Sequence, residues 1–177
     1  PSGIIPASGM AERIAATAES LAWPADEKSS WKKPFGNTKS LAKEVGMKGA
    51  SADCGNYVQI VMRAATGNHK IPNFLGKALS TKGNVSDMDK IAKKYGFSAF
   101  NWDGENSSLV RGDILVYKNQ GDTSSGAGQH IFVYLGGGKN AEARHTDKYY
   151  RHISEKKKKK KKSGKSRKFY YVVRATQ

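Results

Sequence analysis

The spacing of apolar residues changes part-way along the chain, and this change most constrains the fold. In the first half, apolar side chains recur at the spacing of amphipathic helices. Helices are predicted at 11–22, 40–45, Cys54–Thr66 and 87–95. In the second half, runs of β-branched and aromatic residues are typical of strands. Strands are predicted at 113–118, 130–136, 140–144, 148–153 and Lys168–Ala175. Helices followed by strands predict an α+β fold in which N-terminal helices pack on an antiparallel sheet.

The ends of these elements carry boundary signals. Asp53 is a candidate N-cap for Cys54–Thr66, because its carboxylate can accept the free amide hydrogens of the first turn. Ser86 and Asp89 predict a capping box at the start of the helix over 87–95. Three consecutive glycines at 136–138 predict a hairpin turn between two strands.

The length of 177 residues predicts one domain over 1–177, large enough to bury a core. Lysines fill positions 156–162, and Ser163 and Gly164 follow them. Because this run lies between the last two predicted strands, we expect an exposed lysine-rich hairpin loop at about 155–167. Arg111, Gly112 and Asp113 spell an adhesion tripeptide. The stronger interpretation is that Gly-Asp forms the turn into the next strand.

The formal net charge of +16 remains strongly positive when the lysine run is set aside, and it favours anionic partners. The run lacks interleaved aromatic residues, so no specific recognition of nucleic acid is expected. No apolar stretch approaches the ~18 residues of a transmembrane helix. No secretory signal is visible, although a removed one would fit a chain that starts at proline. No zinc-binding or phosphate-binding pattern occurs, so we expect no metal and no cofactor, and we expect a monomer.

Cys54 is the only cysteine, so it cannot form a disulfide within the chain. At the first turn of a helix, the dipole favours the thiolate, which is the reactive form of cysteine. His130 opens a strand after a Gly/Ser-rich segment, at the lip of the sheet, where it would face solvent or a cleft. Taken singly, such a cysteine is more often a small core residue, and a strand histidine is more often structural. The order of the motifs around them favours chemistry instead.

Three motifs occur in a fixed order: DCGNYV at 53–58, VRGDILV at 110–116 and HIFVYLGGGK at 130–139. Together they resemble the NlpC-type and CHAP-type cell-wall cysteine hydrolases, over roughly residues 50 to 145. The resemblance implies a papain-like core and a thiol mechanism that cleaves an amide bond in or next to the stem peptide of peptidoglycan. It also implies a secreted or cell-envelope protein whose partner is peptidoglycan or another anionic wall polymer.

Carried over to this chain, the resemblance implies Cys54 as nucleophile, His130 as general base and Glu142 as the residue that orients the histidine. A glutamate suits the last task, because it accepts the imidazole N–H and stabilises the imidazolium. Strand alternation leaves two alternatives for this role. A register in which His130 lies opposite position 142 or 144 also presents Asn140, and a slip by one residue presents His145 instead.

The chain departs from the family pattern near the cysteine. The usual D-C-S-G is D-C-G-N here, and no upstream tyrosine is evident. The nearest upstream aromatic residues are Trp31 and Phe35, which we assign with Asp53 to substrate binding. The alternative function is a non-catalytic basic module of the same fold that binds an anionic wall polymer or nucleic acid.

Overall fold

The computed structural model describes residues 9–22, 38–47, 54–119, 129–144, 150–154 and 168–177. Within them the helices are α1 (Gly9–Ser20), α2 (Thr38–Glu44), α3 (Cys54–Thr66), α4 (Phe74–Ser80) and α5 (Val85–Lys93), with a 3-10 turn at Asn106–Ser108. The strands are β1 (Phe97–Asn101), β2 (Ile114–Asn119), β3 (Gln129–Gly136), β4 (Lys139–Arg144), β5 (Tyr150–Ser154) and β6 (Lys168–Ala175). The predictions for Trp31, Phe35, Asp53 and the lysine run 156–162 lie outside the described residues.

The strands form one six-stranded sheet in the order β1-β6-β2-β3-β4-β5, and every neighbouring pair is antiparallel. The predicted α+β class with an antiparallel sheet is therefore confirmed. The prediction of a hairpin around the lysine run is wrong. β5 lies at one edge of the sheet, whereas β6 lies between β1 and β2. β5 and β6 are therefore not paired with each other, as a hairpin would require.

Four helices were predicted from the sequence, and each end lies within two residues of its predicted position. The bounds of α3 coincide with the prediction. The sequence did not reveal α4 or β1. α4 has only seven residues with Gly76 among them, and β1 has five residues at an edge of the sheet. Such short segments contain too few periods to register as a pattern. Across the described part of the chain, no helix is long and apolar enough to span a bilayer.

The capping box predicted for α5 is wrong. The N-cap is Asn84, whose side chain accepts the backbone N–H of Asp87. Asp89 instead accepts the backbone N–H of Ala99 at 2.8 Å and pairs with Lys93 one turn along the helix. Asp89 therefore ties α5 to β1, and this tertiary use of the carboxylate explains why it does not cap the helix.

Both faces of the sheet are buried. On the helix face, α1 packs on β3, α3 packs on β3 and β4, and α4 packs on β2 and β3. The opposite face, here called the aromatic face, is a cluster of apolar side chains. Its buried members are Trp102, Leu109, Leu115, Phe132, Tyr134, Tyr170 and Val172, with Phe100 and Tyr117 packed against them. Alternation along each strand divides the side chains between the two faces.

The Arg-Gly-Asp sequence is used within the fold. Arg111 pairs with Glu12 and Glu19 of α1. Asp113 is fully buried, and both of its carboxylate oxygens accept hydrogen bonds from Arg174, at 2.8 and 2.7 Å. This pairing raises the pKa of Arg174. With its carboxylate committed to β6, Asp113 is not presented for adhesion, which agrees with the turn interpretation.

Gly112 is the point at which this turn meets α1. Its φ of +97° lies in the left-handed region, and a β-carbon there would lie 2.0 Å from the carbonyl oxygen of Ala11. A backbone carbonyl within a helix cannot rotate away, so the close approach of α1 to the turn before β2 requires glycine.

Gly112→Ala is expected to destabilise the protein more than Gly67→Ala. Gly67 also has a positive φ, +72°, but a β-carbon there would meet no atom within 4 Å. The control should therefore carry only the ~1–2 kcal/mol of left-handed strain. Gly112→Ala should add ~1–3 kcal/mol for overpacking against α1. Urea unfolding of both variants measures the difference, and equal losses would contradict the packing described here.

Candidate active site

Helix α3 begins at Cys54 and is anchored along its length. The hydroxyl of Tyr57 donates to the carbonyl of Ala18 at 2.6 Å, and the Arg63 guanidinium donates to the carbonyls of Ile71 and Val45 at 2.8 Å each. Cys54 itself is 9% exposed and belongs to the core cluster of the helix face. The first turn of α3 is therefore fixed relative to α1 and to the strands beneath it, which is the rigidity that a nucleophile needs.

His130 and Glu142 contact each other on neighbouring strands. His130 is the second residue of β3 and Glu142 the fourth of β4, and Nε2 of the imidazole lies 2.9 Å from Oε1 of the carboxylate. Because an ionised carboxylate can only accept, Nε2 carries the hydrogen in that state. The Glu142 side chain is fully buried and His130 is only 8% exposed. His130 thus points inward rather than to solvent, and the predicted contact with Glu142 is present.

Aromatic rings surround the imidazole. Phe132 stacks on it with ring centroids 5.7 Å apart, and Tyr117 meets it edge to face at 5.7 Å. Tyr117 in turn packs against Tyr170 at 5.1 Å. Burial raises the pKa of Tyr170, so this phenol stays neutral across the physiological range. The rings hold His130 in one orientation, and they shield its bond to Glu142 from water, which strengthens that bond.

The ring contacts also identify the face of the sheet. His130 shares a side of β3 with Phe132, a member of the aromatic face, whereas the intervening Ile131 belongs to the helix face. On β4, Ala141 and Ala143 likewise belong to the helix face, and Glu142 lies between them. The structure therefore brings His130 and Glu142 together on the aromatic face. Cys54 is packed in the cluster on the helix face.

The first turn of α3 also touches the start of α4. Asn73 is the N-cap of α4, and its Oδ1 accepts the backbone N–H groups of Leu75 and Gly76. Its carboxamide fills the space beside Gly55, with Nδ2 2.6 Å from the position that a β-carbon on Gly55 would occupy. Gly55 stands where the D-C-S-G pattern has serine, and the absence of a β-carbon there leaves room for the Asn73 side chain. Sequence reasoning missed Asn73, because the helix that it caps was not predicted.

No family model matches the chain, and no curated protein has a significantly similar sequence. The resemblance to NlpC-type and CHAP-type hydrolases therefore rests on the three motifs and stays a prediction. Of the other candidates for the orienting residue, Asn140 is buried and His145 lies outside the described residues. Asp53, Trp31 and Phe35 also lie outside them, so their assignment to substrate binding stays a prediction too.

Gly55→Ala is expected to destabilise the protein, whereas Gly76→Ala should not. Both glycines lie in helices, where alanine is ordinarily better by ~1 kcal/mol. A β-carbon on Gly76 would meet no atom within 4 Å, but one on Gly55 would collide with Asn73. Displacing Asn73 removes the cap of α4, a loss of ~1 kcal/mol, and overpacking at the contact adds ~1–3 kcal/mol, so the total exceeds the gain from alanine. Urea unfolding should separate the two variants in opposite directions. Stabilisation by both would show that Asn73 is not held against α3.

Proposed function

We propose that this chain is a cysteine hydrolase with a papain-like core that cleaves an amide bond in or next to the peptidoglycan stem peptide. The observation that carries the proposal is the buried hydrogen bond between His130 and Glu142, on the two strands against which the Cys54 helix packs. Thiol hydrolases pair a histidine held by an acceptor side chain with a cysteine at a helix start, and this chain offers both groups. Three motifs in family order support the choice of substrate class.

In the proposed reaction, the His130–Glu142 pair supplies the base. With Nε2 directed to Glu142, Nδ1 is the nitrogen that takes the proton from the Cys54 thiol. The thiolate attacks the amide carbonyl carbon, and the imidazolium then gives its proton to the leaving amine as the C–N bond breaks. Glu142 stabilises the imidazolium between these steps. Water hydrolyses the resulting thioester and regenerates the thiol.

The two faces of the sheet restrict how Cys54 reaches the imidazole. His130 lies one residue from the start of β3, so its ring is close to the end of the strand. In the proposal, the first turn of α3 approaches the ring round that end, where the helix face and the aromatic face meet. A histidine in the middle of β3 would be separated from α3 by the sheet itself.

The basic character of the chain fits the proposed substrate. Cell walls carry anionic polymers, and a chain of net charge +16 is attracted to them. Such attraction concentrates the protein on its substrate and weakens with salt, since the Debye length is ~8 Å at physiological ionic strength. The proposed site of action is accordingly the cell wall or envelope. A non-catalytic wall-binding module of the same fold would share this charge but would not need a reactive thiol.

Digestion of purified peptidoglycan tests the proposal. The wild type should release new amino and carboxyl termini, identified by mass spectrometry of the soluble products. Cys54→Ala should release none, because it lacks the nucleophile. Glu142→Gln should retain the fold and a reduced rate, since a carboxamide oxygen accepts the imidazole N–H but stabilises the imidazolium less. His69→Ala is the matched control, because His69 is exposed in the loop after α3.

Each outcome separates the candidate functions. Digestion by Cys54→Ala at the wild-type rate would exclude the thiol mechanism. Binding of the wild type to peptidoglycan without any cleavage would instead favour the non-catalytic module. Cleavage of a denatured protein substrate, with peptidoglycan left intact, would retain the thiol mechanism and replace the substrate class.

A further inference from the structure

A second histidine occupies the register position beside Glu142. β4 lies between β3 and β5, and the residue directly opposite Glu142 on β5 is His152. Residues that lie directly opposite each other on paired antiparallel strands share one face of the sheet, with β-carbons about 4.5–5.5 Å apart. His152 is therefore placed on the aromatic face, on the side of Glu142 that is away from β3.

The contact between His130 and Glu142 spans a longer backbone distance than this. β3 and β4 pair Val133 with Ala141, and the same register continued by one residue places Phe132 opposite Glu142. His130 is then a diagonal neighbour of Glu142, and diagonal neighbours are about 7–8 Å apart. Its Nε2 nevertheless reaches Oε1 at 2.9 Å. A histidine directly opposite Glu142 starts closer to the same carboxylate.

The Glu142 carboxylate has the capacity for more than one donor. Its side chain is fully buried, and a carboxylate removed from water needs hydrogen-bond donors to stay ionised. Each of its two oxygens can accept, and Nε2 of His130 contacts Oε1. Oε2 is removed from solvent as well. A neutral imidazole has one ring N–H to donate, so a histidine opposite Glu142 is a suitable second donor.

We propose that His152 is a positioning residue whose ring N–H donates to the Glu142 carboxylate, an inference that rests on the proposed role of the His130–Glu142 pair. With a donor on each side, the carboxylate cannot rotate away from Nε2 of His130. The three residues form a row across β3, β4 and β5, here called the His–Glu–His row. The row keeps His130 in the tautomer whose Nδ1 takes the proton in the proposed reaction.

NMR of the ¹⁵N-labelled histidine rings tests the inference without substrate. At about pH 8 an ordinary imidazole is neutral, and its two ring nitrogens then differ according to which carries the hydrogen. In the wild type, the ring N–H groups of His130 and His152 should both exchange slowly with water. His69 is exposed and supplies the reference for fast exchange. Exchange at the His152 ring as fast as at His69 would overturn the inference.

His152→Leu and His152→Gln separate the donor from the bulk of the side chain. Leucine removes the N–H, so Nε2–H of His130 should exchange about tenfold faster, the factor that corresponds to one hydrogen bond. Glutamine retains an N–H donor and should stay close to the wild type. Arg151→Leu is the matched control, because Arg151 pairs with Ala143 of the helix face and should change nothing at His130.

Two results with these variants would contradict the role of His152. One is unchanged exchange at His130 in His152→Leu. The other is an equal increase in His152→Leu and His152→Gln, because the effect would then come from packing. The backbone amide signals of Ala141 and Ala143 show whether β4 and β5 stay paired. If His152→Leu separates these strands, the exchange of the His152 ring N–H in the wild type decides alone.

Digestion of peptidoglycan separates this inference from the proposed function. His152→Leu should digest more slowly than the wild type, and His152→Gln should digest at close to the wild-type rate. Slow ring exchange at both histidines, in a protein that digests nothing, would retain the His–Glu–His row and reject the wall hydrolase. Digestion by a wild type whose His152 ring exchanges freely would retain the hydrolase and reject the role of His152.

Discussion

The alternation of side chains along β3 and β4 is the constraint on which the rest of this structure depends. One set of residues, including Ile131 and Ala141, builds the core under α1 and α3. The other set, including His130 and Glu142, meets on the aromatic face. A shift of register by one residue would exchange the two sets and place a carboxylate under the helices. The same pairing therefore stabilises the fold and assembles the candidate base.

The candidate site is divided between rigid elements. The nucleophile candidate begins a helix that three side-chain hydrogen bonds hold to α1, to the α3–α4 loop and to the turn after α2. The imidazole lies between aromatic rings, with its partner fully buried. Neither group is positioned by a loop, which favours a geometry that is present before substrate binds. In the proposed mechanism, the two parts meet at the start of β3.

The sequence predicts the fold where apolar patterns are long and fails where they are short. The full extents of α3 and β6 follow from apolar patterns and boundary residues, whereas α4 and β1 are too short to show a pattern. The order of the strands in the sheet could not be predicted from the sequence. Local patterns identify strands, but the neighbour of each strand depends on contacts distant in sequence, and so β6 inserts between β1 and β2 instead of pairing with β5.

The candidate site was predictable in part for the same reason. The contact of His130 with Glu142 follows from a hairpin register that the glycines at 136–138 largely fix. Whether the pair lies on the face that α3 covers or on the opposite face does not follow from that register. The contact of Asn73 with α3 could not be predicted, because it depends on where α4 begins. Local pairing was thus accessible from the sequence, whereas the packing of one layer on another was not.

The central claim is that His130 activates Cys54, and the rate of alkylation by iodoacetamide as a function of pH tests it most directly. His130→Gln is the informative variant, because glutamine can still donate to Glu142 but cannot take a proton. At about pH 6.5, where an ordinary thiol is protonated, the wild type should react faster than the variant, and at about pH 10 the two should react alike. His69→Gln should match the wild type throughout. Equal rates for the wild type and His130→Gln at the lower pH would contradict the account.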